Sequence, residues 1–278
     1  MGPAVAYVVS RLGKRYGEDE PLVILWSDHL VKKQGKFKQI LSSAEKLVRE
    51  NKEKIVFIGQ KPRFASDNLG WITYGDEVKN LDGVRFRSFE GFQYKPDKAL
   101  AEKYFADGKH CWNLGYFVST PAFIMSLFKE FTPDIYSHVK TIMGSMDSAQ
   151  FTKVLTKEYS AMPSVNFDNA VLERLDKKSA YVVVEDIGWS DVGAWEALKE
   201  ALEKHKDDNI THGNVLLEDS TNNLVYNYDA HKLIVGVDLD ELLVVNTKDV
   251  LLVAKNTSVG KIKKIVESFQ GTDKEHLT

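Results

Sequence analysis

Two aspartates, Asp28 and Asp191, follow strand-like runs and could share a metal ion. Asp28 comes after the apolar run 22–26, and Asp191 lies in the segment 188–193, Gly-Trp-Ser-Asp-Val-Gly, after the β-branched run 181–184. We expect both runs to be strands of one parallel sheet, whose carboxyl ends meet at one rim. Two carboxylates there suit Mg²⁺, which takes one or two carboxylates together with substrate phosphates. Taken alone, each aspartate is more often a turn or helix-cap residue.

A lysine and an asparagine extend this candidate site. Lys95 follows another strand-like segment, where a cation could contact a phosphate. Asn113 offers a donor pair and an acceptor to hydroxyl groups. Singly, Lys95 is more often a solvated side chain, Asn113 a satisfied buried amide and Gly70 a turn glycine. Together with the aspartates, these residues indicate a phosphate-ester site with sugar-like contacts.

Alternating helical and strand patterns predict the elements that position these residues. Apolar residues recur at helical spacing over 3–16 and 37–48, and buried strands are indicated at 22–26 and 54–58. This order favours a parallel sheet with crossover helices. Further strands are predicted near 71–73, 84–94, 112–118 and 181–185, with helices over 98–105, over most of 120–158 and from 194 onward.

The pattern changes after about residue 207. Short β runs separated by polar turns recur at intervals of about ten residues, which favours a small β-helix or a barrel-like cap. An amphipathic helix is predicted over 259–269. We therefore predict two domains, 1–207 and 208–278.

Composition excludes several classes of protein. The formal net charge of −3 shows no basic excess for a nucleic-acid partner. The single cysteine, Cys111, cannot form an internal disulfide and favours a reducing compartment. The seven histidines lack ligand-like spacing, which argues against zinc. No apolar run has the length of a membrane span and no basic leader begins the chain, so we expect a cytoplasmic protein without a membrane partner.

Several segments, in order along the chain, resemble the bacterial mannose-1-phosphate guanylyltransferases (GDP-mannose pyrophosphorylases). The segment 188–195, GWSDVGAW, is similar to the signature of that family. The other matching segments are SDH at 27–29, LGWI at 69–72, FQYKPD at 92–97, WNLGYF at 112–117, PSVNFD at 163–168 with Glu173, and the tail 213–256, which resembles the family's small left-handed β-helix domain.

This resemblance implies a Rossmann-like nucleotidyltransferase sheet followed by a small β-helix-like domain. The implied reaction converts GTP and mannose 1-phosphate to GDP-mannose and pyrophosphate, by in-line attack of the sugar phosphate on the α-phosphorus of GTP. Asp28 and Asp191 would hold Mg²⁺, and Lys95 would contact the sugar phosphate, so these three are the implied catalytic residues.

Further residues are implied to bind the substrate. Asn113, the neighbouring Gly115 and the backbone at Gly70 would orient the sugar, and Asp168 and Glu173 would line the pocket. The family analogy also suggests a homodimer.

The chain departs from the family pattern at its beginning. The family's glycine-rich loop of the type GGxGTRLWPLSR, which holds the triphosphate, does not occur in this sequence. We therefore expect the sheet to lack its first strands, through truncation, through a split protein with a complementing N-terminal half supplied in trans, or through degeneration that ended catalysis. The alternative is a non-catalytic or split-subunit homologue with a regulatory or assembly role. Tyr94 and Leu114 replace a family Glu and Ser, so the sugar contacts differ from the family pattern more than the metal carboxylates do.

Overall fold

The structure, a computed structural model, describes residues 1–191, 198–199, 202–203, 205 and 207–277. They fall into two units, which we call unit 1 (Met1–Trp26 and Lys32–Ile187) and unit 2 (Ser27–Val31 and Gly188–Thr278). The domain boundary expected at residues 207 and 208 remains a prediction. The helix expected from residue 194 onward falls largely outside the described residues.

The helices begin and end largely where the sequence predicts. The prolines at 121 and 133 each occupy a first helical turn, where a missing backbone N–H costs nothing. In chain order the helices are α1 (Gly2–Tyr16), α2 (Gln34–Glu50), α3 (Lys98–Asp107), α4 (Pro121–Phe131), α5 (Pro133–Gly144), α6 (Phe151–Ala161), α7 (Phe167–Ala170) and α8 (Ile262–Glu267).

The strands are short except for the hairpin β4–β5 and strand β6. In chain order they are β1 (Leu22–Ile24), β2 (His29–Val31), β3 (Ile55–Gln60), β4 (Gly70–Leu81), β5 (Val84–Gln93), β6 (His110–Ser119), β7 (Ala180–Glu185), β8 (Trp189–Asp191), β9 (Ile210–His212), β10 (Val215–Glu218), β11 (Leu224–Asn227), β12 (Ile234–Val237), β13 (Leu242–Asn246) and β14 (Leu251–Lys255).

The sheet of unit 1 is mixed, so the expectation of a parallel sheet is wrong. Its order is β1-β6-β3-β7-β5-β4, and β3 and β7 form its parallel pair, whereas β6 runs antiparallel to β1, β3 and β4. An apolar run shows that a strand is buried but not which neighbour it pairs with, and the neighbour decides its direction. The prediction for residues 22–26 was also too long, because β1 ends at Ile24.

The core of unit 1 anchors α7 through an aromatic side chain. Phe167 is 3% exposed and stacks on Phe117 of β6 with 5.5 Å between ring centroids. It also contacts Phe128 of α4, again at 5.5 Å. Burying a phenylalanine stabilises a fold by about 1.5–3 kcal/mol. This anchor holds a helix of a single turn, which would not form by itself in water.

Unit 2 consists mainly of a β-helix-like tail. Strands β9, β11 and β13 stack in parallel, and so do β10 and β12. The structural repeat is 19 residues, since Leu224 faces Leu243 and Val215 faces Ile234. Turn signals about ten residues apart therefore mark half of one coil. The left-handed form of the β-helix remains a prediction.

The corners of the coils keep the same spacing. Non-glycine residues with positive φ recur 19 positions apart, as Asp219 (φ 46) and Asp238 (φ 54), and as Asn222 (φ 56) and Glu241 (φ 54). Asn and Asp tolerate this conformation better than most residues. Helix α8 is shorter than the predicted 259–269. Among the described residues, none of the helices is both long and apolar enough to cross a membrane.

Candidate functional site

Asn113 of β6 is held at both ends of its side-chain amide. It is 9% exposed, its Nδ2 donates to Asp168 Oδ1 at 3.1 Å, and its Oδ1 accepts the N–H of Gly115 at 3.0 Å. A side-chain amide has two N–H donors and an oxygen with two lone pairs, so one N–H and one lone pair stay available for a ligand. The structure therefore orients Asn113 before any ligand binds.

The two predicted glycines are closely packed, Gly70 against Asn113 and Gly115 against Trp26. A Cβ on Gly70 would lie 3.3 Å from the Cβ of Asn113, its partner across the β4–β6 pair. Gly115 has φ +68, and a Cβ there would lie 2.1 Å from Nε1 of Trp26. Gly115 thus meets both a backbone and a steric requirement that only glycine satisfies.

Lys95 lies in the turn between β5 and α3 with an unusual backbone conformation. Its φ of 40 is in the left-handed region, which costs a non-glycine residue about 1–2 kcal/mol. The turn is held before Lys95 by Glu173, whose Oε1 accepts the N–H of Tyr94 at 3.0 Å. After Lys95, the side chain of Asp97 caps α3 by accepting the N–H of Leu100 at 2.8 Å.

Asp168 connects these residues electrostatically. Burial raises the pKa of Asp168, and the negative charge of Glu173 adds to that effect. Hydrogen bonds from its own backbone amide and from Asn113, together with the positive charge of Lys95, act in the opposite direction. Asn113, Glu173 and Lys95 therefore all lie within interaction range of one carboxyl group.

Six of the predicted site residues thus form one neighbourhood in unit 1. We call it the α7 cluster: Gly70, Lys95, Asn113, Gly115, Asp168 and Glu173. Strands β4, β5 and β6 supply four of these residues or the turns beside them, and α7 with the turn after it supplies the others. The function of each of them remains a prediction.

Asp28 and Asp191 meet in unit 2 by a route that the sequence does not reveal. We expected each to close a strand of one parallel sheet, which is wrong. Instead, β2 and β8 form a two-stranded antiparallel ladder in which His29 faces Asp191. Each strand has three residues, too few for periodicity to predict their pairing.

His29 interacts electrostatically with both Asp28 and Asp191 and was not predicted as a site residue. Trp189 Nε1 donates to its Nδ1 at 3.1 Å, and the two rings pack edge to face with 5.1 Å between centroids. Burial lowers the pKa of His29, and the negative charges of Asp191 and Asp28 oppose that shift. Both aspartates therefore act on the same imidazole.

A buried glutamine, Gln60, holds Asp186 and Ile187, the last residues of unit 1. It was not predicted from the sequence. Gln60 is fully buried, and its Nε2 donates to Asp186 Oδ1 at 3.0 Å. Its Oε1 accepts the N–H of Ile187 at 3.1 Å, and Lys33 forms an ion pair with Asp186. A polar residue at the end of an otherwise apolar strand was the signal that could have identified it.

The described residues do not provide a set of three or more protein ligands for a metal ion. In the part of the chain that the structure describes, no group of three or more His, Cys, Asp or Glu side chains is placed to hold an ion. A pair of carboxylates suits Mg²⁺ because this ion keeps several waters and takes further oxygens from substrate phosphates.

Comparison with known proteins identifies the family. The profile of the family described as Nucleotidyl transferase matches residues 2–208. Mannose-1-phosphate guanylyltransferase 2 of Escherichia coli O157:H7 is 32% identical over 273 residues, covering 96% of this chain and 55% of that protein. A putative mannose-1-phosphate guanylyltransferase of Vibrio cholerae serotype O1 is 34% identical over 259 residues, covering 92% of this chain and 54% of that protein.

The chain spans about half the length of the curated relatives it matches. A solved structure from Thermus thermophilus, described as mannose-1-phosphate geranyltransferase, aligns with a TM-score of 0.82 at 23% identity. The alignment covers 98% of this chain and 75% of that one, which confirms the predicted nucleotidyltransferase fold. By its fold and by the match over residues 2–208, the chain belongs to the nucleotidyl transferase family.

Proposed function

We propose that this chain transfers a guanylyl group from GTP to mannose 1-phosphate, forming GDP-mannose and pyrophosphate. The named relatives support this reaction, because both are called mannose-1-phosphate guanylyltransferases. The observation that carries the proposal is the pairing of β2 with β8, which sets His29 opposite Asp191 and beside Asp28. Phosphoryl transfer needs charge neutralisation and positioning rather than covalent chemistry from the protein. Paired carboxylates would provide the charge neutralisation by holding a metal ion.

Asp28 and Asp191 are the residues that would hold Mg²⁺. Their chemistry fits, since both supply hard carboxylate oxygens, Asp28 on an exposed side chain and Asp191 on a partly buried one. His29 is engaged through Nδ1 by Trp189, and Asp28 and Asp191 are the carboxylates beside this ladder. Bound Mg²⁺ neutralises the charge of phosphate oxygens.

The α7 cluster would bind the sugar phosphate. The ammonium group of Lys95 is the cation for the phosphate of mannose 1-phosphate. The remaining N–H of the Asn113 amide donates to a sugar hydroxyl, with the amide held in place by Asp168 and Gly115. Gly70 keeps this wall free of a side chain. These roles give the cluster binding and orientation, which is where this reaction gains most of its rate.

A complementing N-terminal segment is the partner that we propose for the chain in the cytoplasm. Its support is the edge of the unit 1 sheet, where β1 pairs with β6 alone among the described strands. Val23 and Leu25 are 40% and 42% exposed there, and an apolar sheet edge invites another strand. Ultracentrifugation separates the outcomes: a monomer agrees with this proposal, whereas a dimer that Val23→Lys dissociates assigns the edge to a second copy.

The experiment that tests the function measures pyrophosphate release by the purified chain with Mg²⁺. GTP, ATP and UTP are each combined with mannose 1-phosphate or glucose 1-phosphate. We expect the fastest release with GTP and mannose 1-phosphate. Release that is fastest with another pair, or absent with every pair, would overturn the proposal.

A further inference from the structure

Both carboxylate oxygens of Glu173 are used by the protein itself. Oε1 accepts the backbone N–H of Tyr94 at 3.0 Å, and Oε2 accepts Nδ2 of Asn169 at 2.9 Å. Each oxygen of Glu173 therefore accepts one hydrogen bond from the protein, in addition to the pocket-lining place that the resemblance implied. The partner that it holds, Tyr94, is the residue immediately before Lys95.

The Tyr94–Lys95 turn is fixed on each side of its strained residue. The N–H of Tyr94 is held by Glu173, and its carbonyl accepts Nε2 of Gln93 at 3.3 Å. Lys95 itself has φ 40, Pro96 is buried, and Asp97 caps α3. A non-glycine residue keeps such a conformation only where its surroundings hold it, and functional groups are often found in this state.

The contact from Glu173 comes from a firmly anchored segment. Phe167 of α7 is buried in the core, and Asn166 caps α7 by accepting the N–H of Asn169 at 2.8 Å. Asn169 then donates to Glu173, so α7 orients the carboxylate of Glu173. The same helix also carries Asp168, which holds Asn113. One short element therefore orients both polar groups assigned to the sugar phosphate.

We propose that Glu173 is a positioning residue that acts through Lys95: it fixes the Tyr94–Lys95 turn and so places the ammonium group for the sugar phosphate. Its effect on binding rests on the proposed function, in which Lys95 contacts mannose 1-phosphate. Its effect on the turn does not, since that follows from the Tyr94 contact alone. The two effects are therefore measured separately.

Three variants separate positioning from direct contact. Glu173→Ala removes both acceptors. Glu173→Gln keeps one carbonyl oxygen for the N–H of Tyr94, and a flipped Asn169 amide can accept from its new NH₂ group. Glu130→Ala removes another exposed glutamate, on α4, as the matched control.

The first readout is the hydrogen-exchange rate of the Tyr94 amide in the full chain, followed by NMR, which needs no substrate. We expect Glu173→Ala to raise this rate by at least roughly tenfold, the effect of losing one hydrogen bond of ordinary strength. Glu173→Gln and Glu130→Ala should leave it near the wild-type rate. Equal exchange in the wild type and in Glu173→Ala would overturn the proposal.

The second readout is the affinity for mannose 1-phosphate by calorimetry and its KM in the pyrophosphate assay. Glu173→Ala should weaken both by roughly tenfold, with the KM for GTP and the melting temperature almost unchanged. Glu173→Gln should restore most of the affinity. In a Lys95→Ala background, Glu173→Ala should change the affinity by less than about twofold, because the residue it acts through is gone.

Two results of this second readout would contradict a positioning role. If Glu173→Gln is as damaging as Glu173→Ala, the carboxylate contacts the substrate directly. If the tenfold loss persists in the Lys95→Ala background, Glu173 does not act through Lys95. A wild-type chain that neither binds nor converts mannose 1-phosphate would refute the proposed function, while the Tyr94 exchange rate would still decide whether Glu173 holds the turn.

Discussion

Asn113 donates to Asp168 at 3.1 Å across 55 residues of sequence, and this bond joins strand β6 to the short helix α7. Its energetic weight comes from its surroundings, because Asn113 is 9% exposed and Asp168 is half-buried. A buried amide that loses its partner costs about 1–3 kcal/mol. The bond therefore ties the shape of the α7 cluster to the stability of unit 1.

The ionisation of Asp168 should make stability depend on pH. Since burial raises its pKa above the ordinary 3.8, the folded chain binds this proton more tightly than the unfolded chain. The contribution of Asp168 to the free energy of unfolding therefore falls as the pH rises through 3.8 and then through the higher folded pKa.

Asp168→Asn should remove this dependence and keep an oxygen for Asn113. We expect the variant to have a higher free energy of unfolding than the wild type at neutral pH. The difference should shrink as the pH falls below 3.8. Urea unfolding at neutral pH and below pH 3.8 measures this difference in the free energy of unfolding, with the exposed Asp249→Asn as control. A difference that is the same at both pH values would contradict the assignment.

Gly115→Ala should destabilise unit 1 for two separable reasons. The positive φ costs an alanine about 1 kcal/mol, and the contact of its Cβ with Trp26 adds a clash of about 1–3 kcal/mol. Gly108→Ala is the matched control, because its φ is +65 but no atom lies within 4 Å of the new Cβ. We expect urea unfolding to show a clearly larger loss for Gly115→Ala. Equal losses would mean that Trp26 does not pack against Gly115.

Features that depend on neighbouring residues could be predicted from the sequence, and contacts between distant segments could not. Helix α2 was predicted because its apolar residues repeat within the helix itself, and four residues of that pattern are buried, namely Ile40, Ala44, Leu47 and Val48. Chain segments that lie far apart gave no such signal. Tyr94 and Glu173 meet across 79 residues, and no local pattern relates a backbone amide to a distant carboxylate.

The resemblance to a family predicted some of these contacts between distant segments. It brought together Lys95, Asn113 and Asp168 before any coordinates, and the structure places them as neighbours. It did not indicate that β2 pairs with β8, because these strands are too short to be recognised. His29 and Gln60 were missed because their partners are set by tertiary pairing.

Asn227→Ala should destabilise the β-helix-like tail. Asn227 is 3% exposed; its Nδ2 donates to the carbonyls of Asn214 and Lys232, and its Oδ1 accepts from Asn246 and Asp229. Truncation leaves buried partners unsatisfied, which should cost about 2–4 kcal/mol. Hydrogen exchange of β11 and β13 amides measures this loss, and the exposed Asn80→Ala is the control. Unchanged exchange would show that this side chain does not hold the coils together.

Binding of Mn²⁺ can test whether Asp28 and Asp191 hold a metal ion, without any need for turnover. Mn²⁺ accepts the same oxygen ligands as Mg²⁺. Added to the full chain, it should broaden the NMR signals of His29, Leu30 and Ser190 more than those of β11. The double variant Asp28→Asn with Asp191→Asn should abolish this broadening, and Asp249→Asn should not. Broadening that survives in the double variant would place the metal elsewhere.

The formation of GDP-mannose from GTP and mannose 1-phosphate in the presence of Mg²⁺, followed by phosphorus NMR, tests the central claim most directly. Asp191→Asn should lower the rate by at least roughly a hundredfold, since it removes charge stabilisation from the transferring phosphate. Asp249→Asn, another aspartate of unit 2, should react at the wild-type rate. A rate in Asp191→Asn equal to that of Asp249→Asn would contradict the account.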